Sequence, residues 1–172
     1  MNPWLAVAAG LLLLAAVGVA GFLIAGPARV WSLFGPADLG PVTFETLQRR
    51  STPNDALACP LGVCKTRVDI VPPVYTMSVA DLALAFDRAI APEPRLTLVA
   101  TSDQGTSRRY IQRSRLLGFP DTVVVRFIAL AGGRSTLALY SRSQLGKGDL
   151  GVNRARIERW LAEIGREAPA AR

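Results

Sequence analysis

Gly146-Lys147-Gly148-Asp149-Leu150-Gly151 has the G-x-G-x-x-G spacing of a dinucleotide-binding turn, with an apolar run before it and a helical run after it. That turn cradles pyrophosphate only when it opens a β-α-β unit, with a second parallel strand after the helix. Here the helical run is expected to end near Gly165, with no strand among residues 166–172. The preceding segments also read as antiparallel hairpins, so the fingerprint fails. A P-loop needs G-x-x-x-x-G-K-[ST], which this stretch lacks. What is left is a glycine-rich turn from strand to helix, whose backbone amides could hold an anion.

Other chemistries are as thinly provided. The chain has no histidine, so there is no Ser-His or Cys-His dyad. Ser114, Ser141 and Ser143 stand beside arginines rather than beside a base. Asp121 and Asp149 fall in expected turns, where aspartate serves the backbone. No catalytic residue, metal ligand or cofactor is therefore expected, and the two thiols alone cannot make a zinc site of the usual kind. Cys59 and Cys64 are close enough in sequence for a small loop disulfide, which would imply an oxidising compartment; two unpaired thiols are the alternative. The remaining candidates are cationic. Arg113, Arg115 and Arg126 lie in expected strands, and Arg142, Asp149, Asn153 and Arg154 surround the glycine-rich turn. Together they are candidates for binding an anionic ligand.

The elements that would position these residues begin near Val74. Ser78-Val-Ala-Asp81 resembles a capping box, and Leu82, Ala85, Phe86, Ala89 and Ile90 follow at helical spacing until Pro92. Four strand-like segments come next, at 95–101, 106–117, 122–130 and 134–142, joined by short hairpin-like connections. A short strand at 74–77 would add a fifth. A last helix has Ile157, Trp160, Leu161 and Ile164 on one stripe, with Asn153 as expected N-cap and Gly165 just past its end. The predicted class is α+β: a four- to five-stranded antiparallel meander with two helices on one face, preceded by one transmembrane helix.

Turn geometry suggests a register. A two-residue Gly132-Gly133 turn with Ala131 facing Arg134 puts Arg126 opposite Leu139, and pairing Leu117 with Thr122 puts Arg113 opposite Arg126. One face then carries Tyr110, Leu116, Val123, Val125, Phe127, Ala138 and Tyr140, and is expected to lie under the helices. The other mixes Ile111, Val124, Ile128, Leu137 and Leu139 with Arg109, Arg113, Arg115 and Arg126. Like charges directly across a strand pair destabilise it unless something offsets them, such as an anionic ligand or the carboxylate of Asp103 or Asp149. Splayed guanidinium groups or a one-residue register error are the alternatives.

Trp4 to Ala25 contains no charged residue, a length that fits a membrane span better than a core helix. Trp4 and Trp31 at its ends suit an aromatic belt. Met1-Asn2-Pro3 lacks the basic residues of a signal peptide, so an uncleaved anchor is expected. Residues 1–26 thus read as anchor, 27–50 as a Pro/Gly-rich juxtamembrane linker, 51–166 as the α+β domain and 167–172 as a tail. The net charge is +7, carried by 18 arginines and 2 lysines, without a basic run dense enough for nucleic acid. The charges flanking the span lean towards a cytoplasmic domain, and the cysteine pair towards an oxidising one.

Pro53-Asn54, then 109–127, and above all Ser141, Arg142, Gly146, Asp149, Gly151, Asn153 and Arg154 resemble the domain of unknown function 1499 family. The resemblance spans roughly Ser51 to Ile164. It departs at Asp55, where the family often has cysteine after Pro-Asn. The resemblance implies an envelope location, in bacteria or plastids, and no activity. The expectation is a bacterial inner-membrane protein with a single pass and a periplasmic domain. It would contact the bilayer through residues 4–25 and bind an anionic or amphipathic, lipid-like ligand. An enzyme using Arg and Asp of 141–154 on a phosphorylated or lipid substrate is one alternative; a structural subunit of a membrane complex is another.

Overall fold

The computed structural model describes residues 3–102 and 104–167; residues 1–2, Asp103 and residues 168–172 lie outside it. Helix α1 (Pro3–Ala25) contains an 18-residue stretch with a mean hydropathy of 2.6 and buries none of its residues against the rest of the chain. It is the one helix among the described residues long and apolar enough to cross a membrane. Gly26, at φ 81°, ends it, and Pro27 opens the short helix α2 (Pro27–Ser32). That dihedral is open to glycine, and proline's missing amide costs nothing at a first helical position.

The α+β class is as predicted. Strands β1 (Asp55–Ala58), β2 (Leu96–Thr101), β3 (Ser107–Arg113), β4 (Pro120–Leu130) and β5 (Arg134–Ser143) form one antiparallel sheet in the order β1-β5-β4-β3-β2. Four of them make the expected meander. The fifth is β1 beside β5, whereas the segment expected at 74–77 supplies only a bridge from Tyr75 to Ser135.

Helices α3 (Val79–Ile90) and α4 (Val152–Glu167) cover one sheet face. Ser78 caps α3 by accepting the Asp81 amide at 3.1 Å, and also donates to the Asp81 carboxylate at 2.7 Å. Phe86 sits at the centre of the layer, edge-on to Trp160 at 5.8 Å and to Phe127 at 5.4 Å.

Two registers differ from expectation. Ala131, Gly132 and Gly133 form a three-residue loop, with Leu130 opposite Arg134, so Arg126 faces Ala138 rather than Leu139. Gly132 and Gly133 both take positive φ, at 73° and 67°. A one-residue shift exchanges the faces of a strand, so Leu137 and Leu139 point under the helices while Ala138 and Tyr140 point away. The β3–β4 connection is also longer than expected. Strand β3 stops at Arg113, which pairs with Pro120, and Ser107 pairs with Arg126. Arg113 and Arg126 thus lie about 20 Å apart along the sheet, at strand rise, and do not confront each other.

Helix α4 also starts and stops differently. Its first amides are met by Asp149, whose carboxylate accepts from Gly151 at 3.0 Å and Asn153 at 2.9 Å, so Asp149 does the capping expected of Asn153. Gly165 lies inside the helix, which runs on to Glu167, where the carboxylate pairs with exposed Arg88 at 3.1 Å.

Candidate functional site

The glycine-rich loop is fastened from below. Asn54 donates to the Gly146 carbonyl at 2.8 Å, and its own carbonyl accepts from the Ser143 amide at 2.9 Å and Asn153 Nδ2 at 3.2 Å. Asn153 Nδ2 also donates to Asp149 at 2.7 Å and to Ser143 Oγ at 3.0 Å. Pro53-Asn54 and the closing stretch are thus the two halves of one clamp, joining the start of β1, the end of β5 and the start of α4.

Beneath this clamp lies a buried ionic network. Arg156 Nη2 reaches Asp121 at 2.7 Å, and Nη1 reaches Ser141 Oγ at 2.6 Å and Asn153 Oδ1 at 2.7 Å. Ser141 Oγ donates to Asn153 Oδ1 at 2.5 Å. All four residues are buried. A charge this deep is tolerated only when paired and hydrogen-bonded. Neither charged partner stood out in the sequence. Asp121, expected in a turn, is the second residue of β4, opposite Ser143. Arg156 had a signal: it stands four residues before Trp160, on the stripe that carries the apolar contacts.

Above the network a cleft of about 340 Å³ opens between the β3–β4 connection and the glycine-rich loop. Phe119, Pro120, Leu145, Leu150 and Val152 give it apolar walls, and Asp121, Ser143 and Asp149 edge its floor. The cleft adjoins the elbow where α1 turns into α2. Phe119 stacks on Trp31 at 4.4 Å, Trp31 lies 5.8 Å from Phe22 of α1, and Trp31 Nε1 donates to the Leu117 carbonyl at 2.6 Å.

The other candidate residues are distributed. Arg113 donates to the Gly118 carbonyl at 3.2 Å, inside the β3–β4 connection. Arg115 is exposed in that connection, and Lys147 at the tip of the glycine-rich loop. Arg154 pairs with Glu158 on the solvent side of α4, at 2.9 Å. Arg142 donates to the Leu39 and Gly40 carbonyls at 2.7 and 2.8 Å and lies over the Tyr140 ring. Burial pulls the Arg142 guanidinium below its usual range, and the charges of Arg50 and Arg109 act in the same direction.

Arg126 meets residues 37–50, which run over the sheet face opposite the helices. Phe44 and Leu47 from this segment pack with Leu57, Cys59, Val124, Ala138 and Tyr140 in a second apolar layer. Arg126 pairs with Glu45 at 2.7 Å and lies over the Phe44 ring, while Arg109 pairs with Asp38 at 2.9 Å. The carboxylates that offset the arginines of this face are therefore the chain's own. Cys59 and Cys64 are bonded to each other at the margin of the same layer.

At its edge Arg49 holds Asp55 and, at 2.7 Å, Asp69. Asp55, which stands where the resembled family often has cysteine, also accepts from Tyr140 Oη at 2.5 Å. Burial alone would raise the Asp69 carboxyl, but the hydrogen bonds from Arg49 and the Leu57 amide hold it below its ordinary value. Glu45 is likewise lowered, chiefly by its hydrogen bond from Arg126.

A group whose folded pKa is depressed contributes stability above its unfolded pKa and loses it as pH falls through the folded one. Urea midpoints of the detergent-solubilised chain should therefore be flat above about pH 5 and fall below about pH 4, the unfolded carboxyl range. Asp69→Asn should make that acid limb shallower. An unchanged limb would show that the Arg49 cluster is not its source.

The fold and site together define a class: a small α+β domain carried on one apolar helix, with its closing loop clamped over a buried Arg-Asp pair. A family model described as "Protein of unknown function (DUF1499)" matches residues 44–164, and the chain belongs to this family. No curated protein matches it.

Proposed function

We propose that this is a single-pass bacterial inner-membrane protein whose periplasmic domain is a non-enzymatic binding module for an anionic, amphipathic, lipid-like ligand. The observation that carries this reading is the apolar cleft beside the span. Its walls suit an acyl chain, and its position next to Trp31 gives a lipid a short path from the bilayer. Binding sites of this kind are concave and mostly apolar, with a few polar groups to orient the ligand. Arg115 and Lys147, on the two loops that flank the cleft, would receive an anionic headgroup. The Cys59–Cys64 bond supports the periplasmic side, since such bonds persist in oxidising compartments. Arg142, Asp149 and Arg154 of the closing stretch engage internal partners, which favours binding over chemistry as the use of this site.

Native mass spectrometry of the detergent-extracted full chain should reveal a co-purified phospholipid. Leu145→Trp, which fills the cleft, should remove that species and leave the far-ultraviolet circular dichroism and the urea midpoint unchanged. Protein that emerges free of lipid, or an adduct that survives the filled cleft, would overturn the assignment.

A further inference from the structure

We infer that the end of the domain around the elbow is a seating surface for an anionic bilayer, holding the domain against the headgroup layer rather than swinging free on a tether. The inference rests on α1 spanning the membrane, and not on whether the cleft takes a ligand.

The first argument is depth. Twenty-three residues of helix rise about 35 Å, slightly more than the roughly 30 Å hydrocarbon core. The last turn of α1 and all of α2 therefore fall at the interface, where tryptophan is at home. Trp31 in turn fixes the domain. Its indole nitrogen is bonded to the Leu117 carbonyl and its ring is stacked on Phe119. Pro27 lies so close to Gly118 that a Cβ there would sit 2.8 Å from the proline Cβ. The β3–β4 connection is thus carried at the depth of Trp31.

The second argument is what this end displays. Leu33 is 82% exposed, Phe34 64% and Leu116 88%, and all three stand within three residues of an elbow contact. Large apolar side chains left in water beside a membrane span are accounted for if they enter the boundary between headgroups and acyl chains.

The third argument is charge. Residues 26–36, 114–119 and 145–148 contain Arg29, Arg115 and Lys147 and no acidic residue. Each such cation near an anionic surface is worth about 1 kcal/mol of attraction, or roughly fivefold in occupancy.

Brominated-lipid quenching of tryptophan emission tests this on the full chain in vesicles of phosphatidylcholine with or without phosphatidylglycerol. Leu33→Trp and Leu116→Trp probe the surface without lining the cleft. Ala131→Trp, at the other end of β4 and about 35 Å from Pro120 at strand rise, is the control. All three positions are exposed, so the fold is retained. The emission added by Leu33→Trp and by Leu116→Trp should be lost to lipid brominated high on its acyl chains, and that of Ala131→Trp should persist. Arg115→Glu with Lys147→Glu should weaken the quenching of Leu116→Trp in vesicles containing phosphatidylglycerol. Emission at 33 and 116 that survives as it does at 131 would overturn the seating surface. It would do so even if Leu150→Trp, at the rim of the cleft, were quenched by a lipid bound there. Quenching indifferent to both phosphatidylglycerol and charge reversal would overturn its anionic preference.

Discussion

Replacing Arg156 by leucine should lower the unfolding free energy by about 3–5 kcal/mol, a large share of what a domain of this size possesses. The guanidinium engages Asp121, Ser141 and Asn153 at once, and all four residues are buried. Removing it leaves the Asp121 carboxylate without its counter-charge, and two polar side chains lose a donor. Removing both charges is a different experiment, because apolar residues of similar volume often replace a buried pair at little cost. Arg156→Leu with Asp121→Leu should therefore recover much of the loss. The asymmetry between single and double variants is the measurement that matters, read from urea unfolding of the full chain in detergent. If the single variant loses less than about 1 kcal/mol, the value typical of exposed pairs, Arg156 is solvated and the network does not hold the closing loop.

The same residue shows what sequence reading reaches. Periodicity found α3 and α4, because their apolar positions recur along one face. Turn residues found the meander and most of its strand limits. The faces of β5 came out reversed for one reason: Gly132-Gly133 suggests a two-residue hairpin loop, and the chain uses three. Nothing local distinguishes those choices, yet the shift exchanges every side chain of the strand. The site was legible as a motif without its mechanics. Asp149, Asn153 and Pro53-Asn54 were recognisable, but the hydrogen bonds that tie Asn54 to the closing stretch cross about a hundred residues of sequence. Arg156 was hidden by its type, since an arginine on a helix is ordinarily a solvated one. The arginine-rich face posed a different problem. Its offsetting groups are Asp38 and Glu45, on either side of Gly40-Pro41 in a segment with no period to follow.

That segment supports the second large effect. Phe44→Ala should cost about 3–5 kcal/mol, as for other large aromatics removed from a core. Phe44 is 1% exposed, although it belongs to a single 3₁₀ turn and no strand or helix of its own. It closes the layer formed by Leu47, Leu57, Cys59, Val124, Ala138 and Tyr140, and its ring lies under the Arg126 guanidinium at 5.3 Å. Neighbouring Glu45 is half exposed and pairs with the same arginine, so Glu45→Ala should cost less than about 1 kcal/mol. The contrast separates two accounts of residues 37–50. If the segment is a cover held by charge, the two variants should be similar and salt should weaken both. If it is a second core layer held by apolar burial, Phe44→Ala alone should be severe and indifferent to salt. It should also expose the bonds around Arg49 and Arg50 to trypsin while the layer under α3 and α4 stays folded. We expect the second outcome, because the ring is buried on the sheet side and only the carboxylate reaches water. A Phe44→Ala chain as stable as its parent would mean that β1, β4 and β5 need no partner on that face.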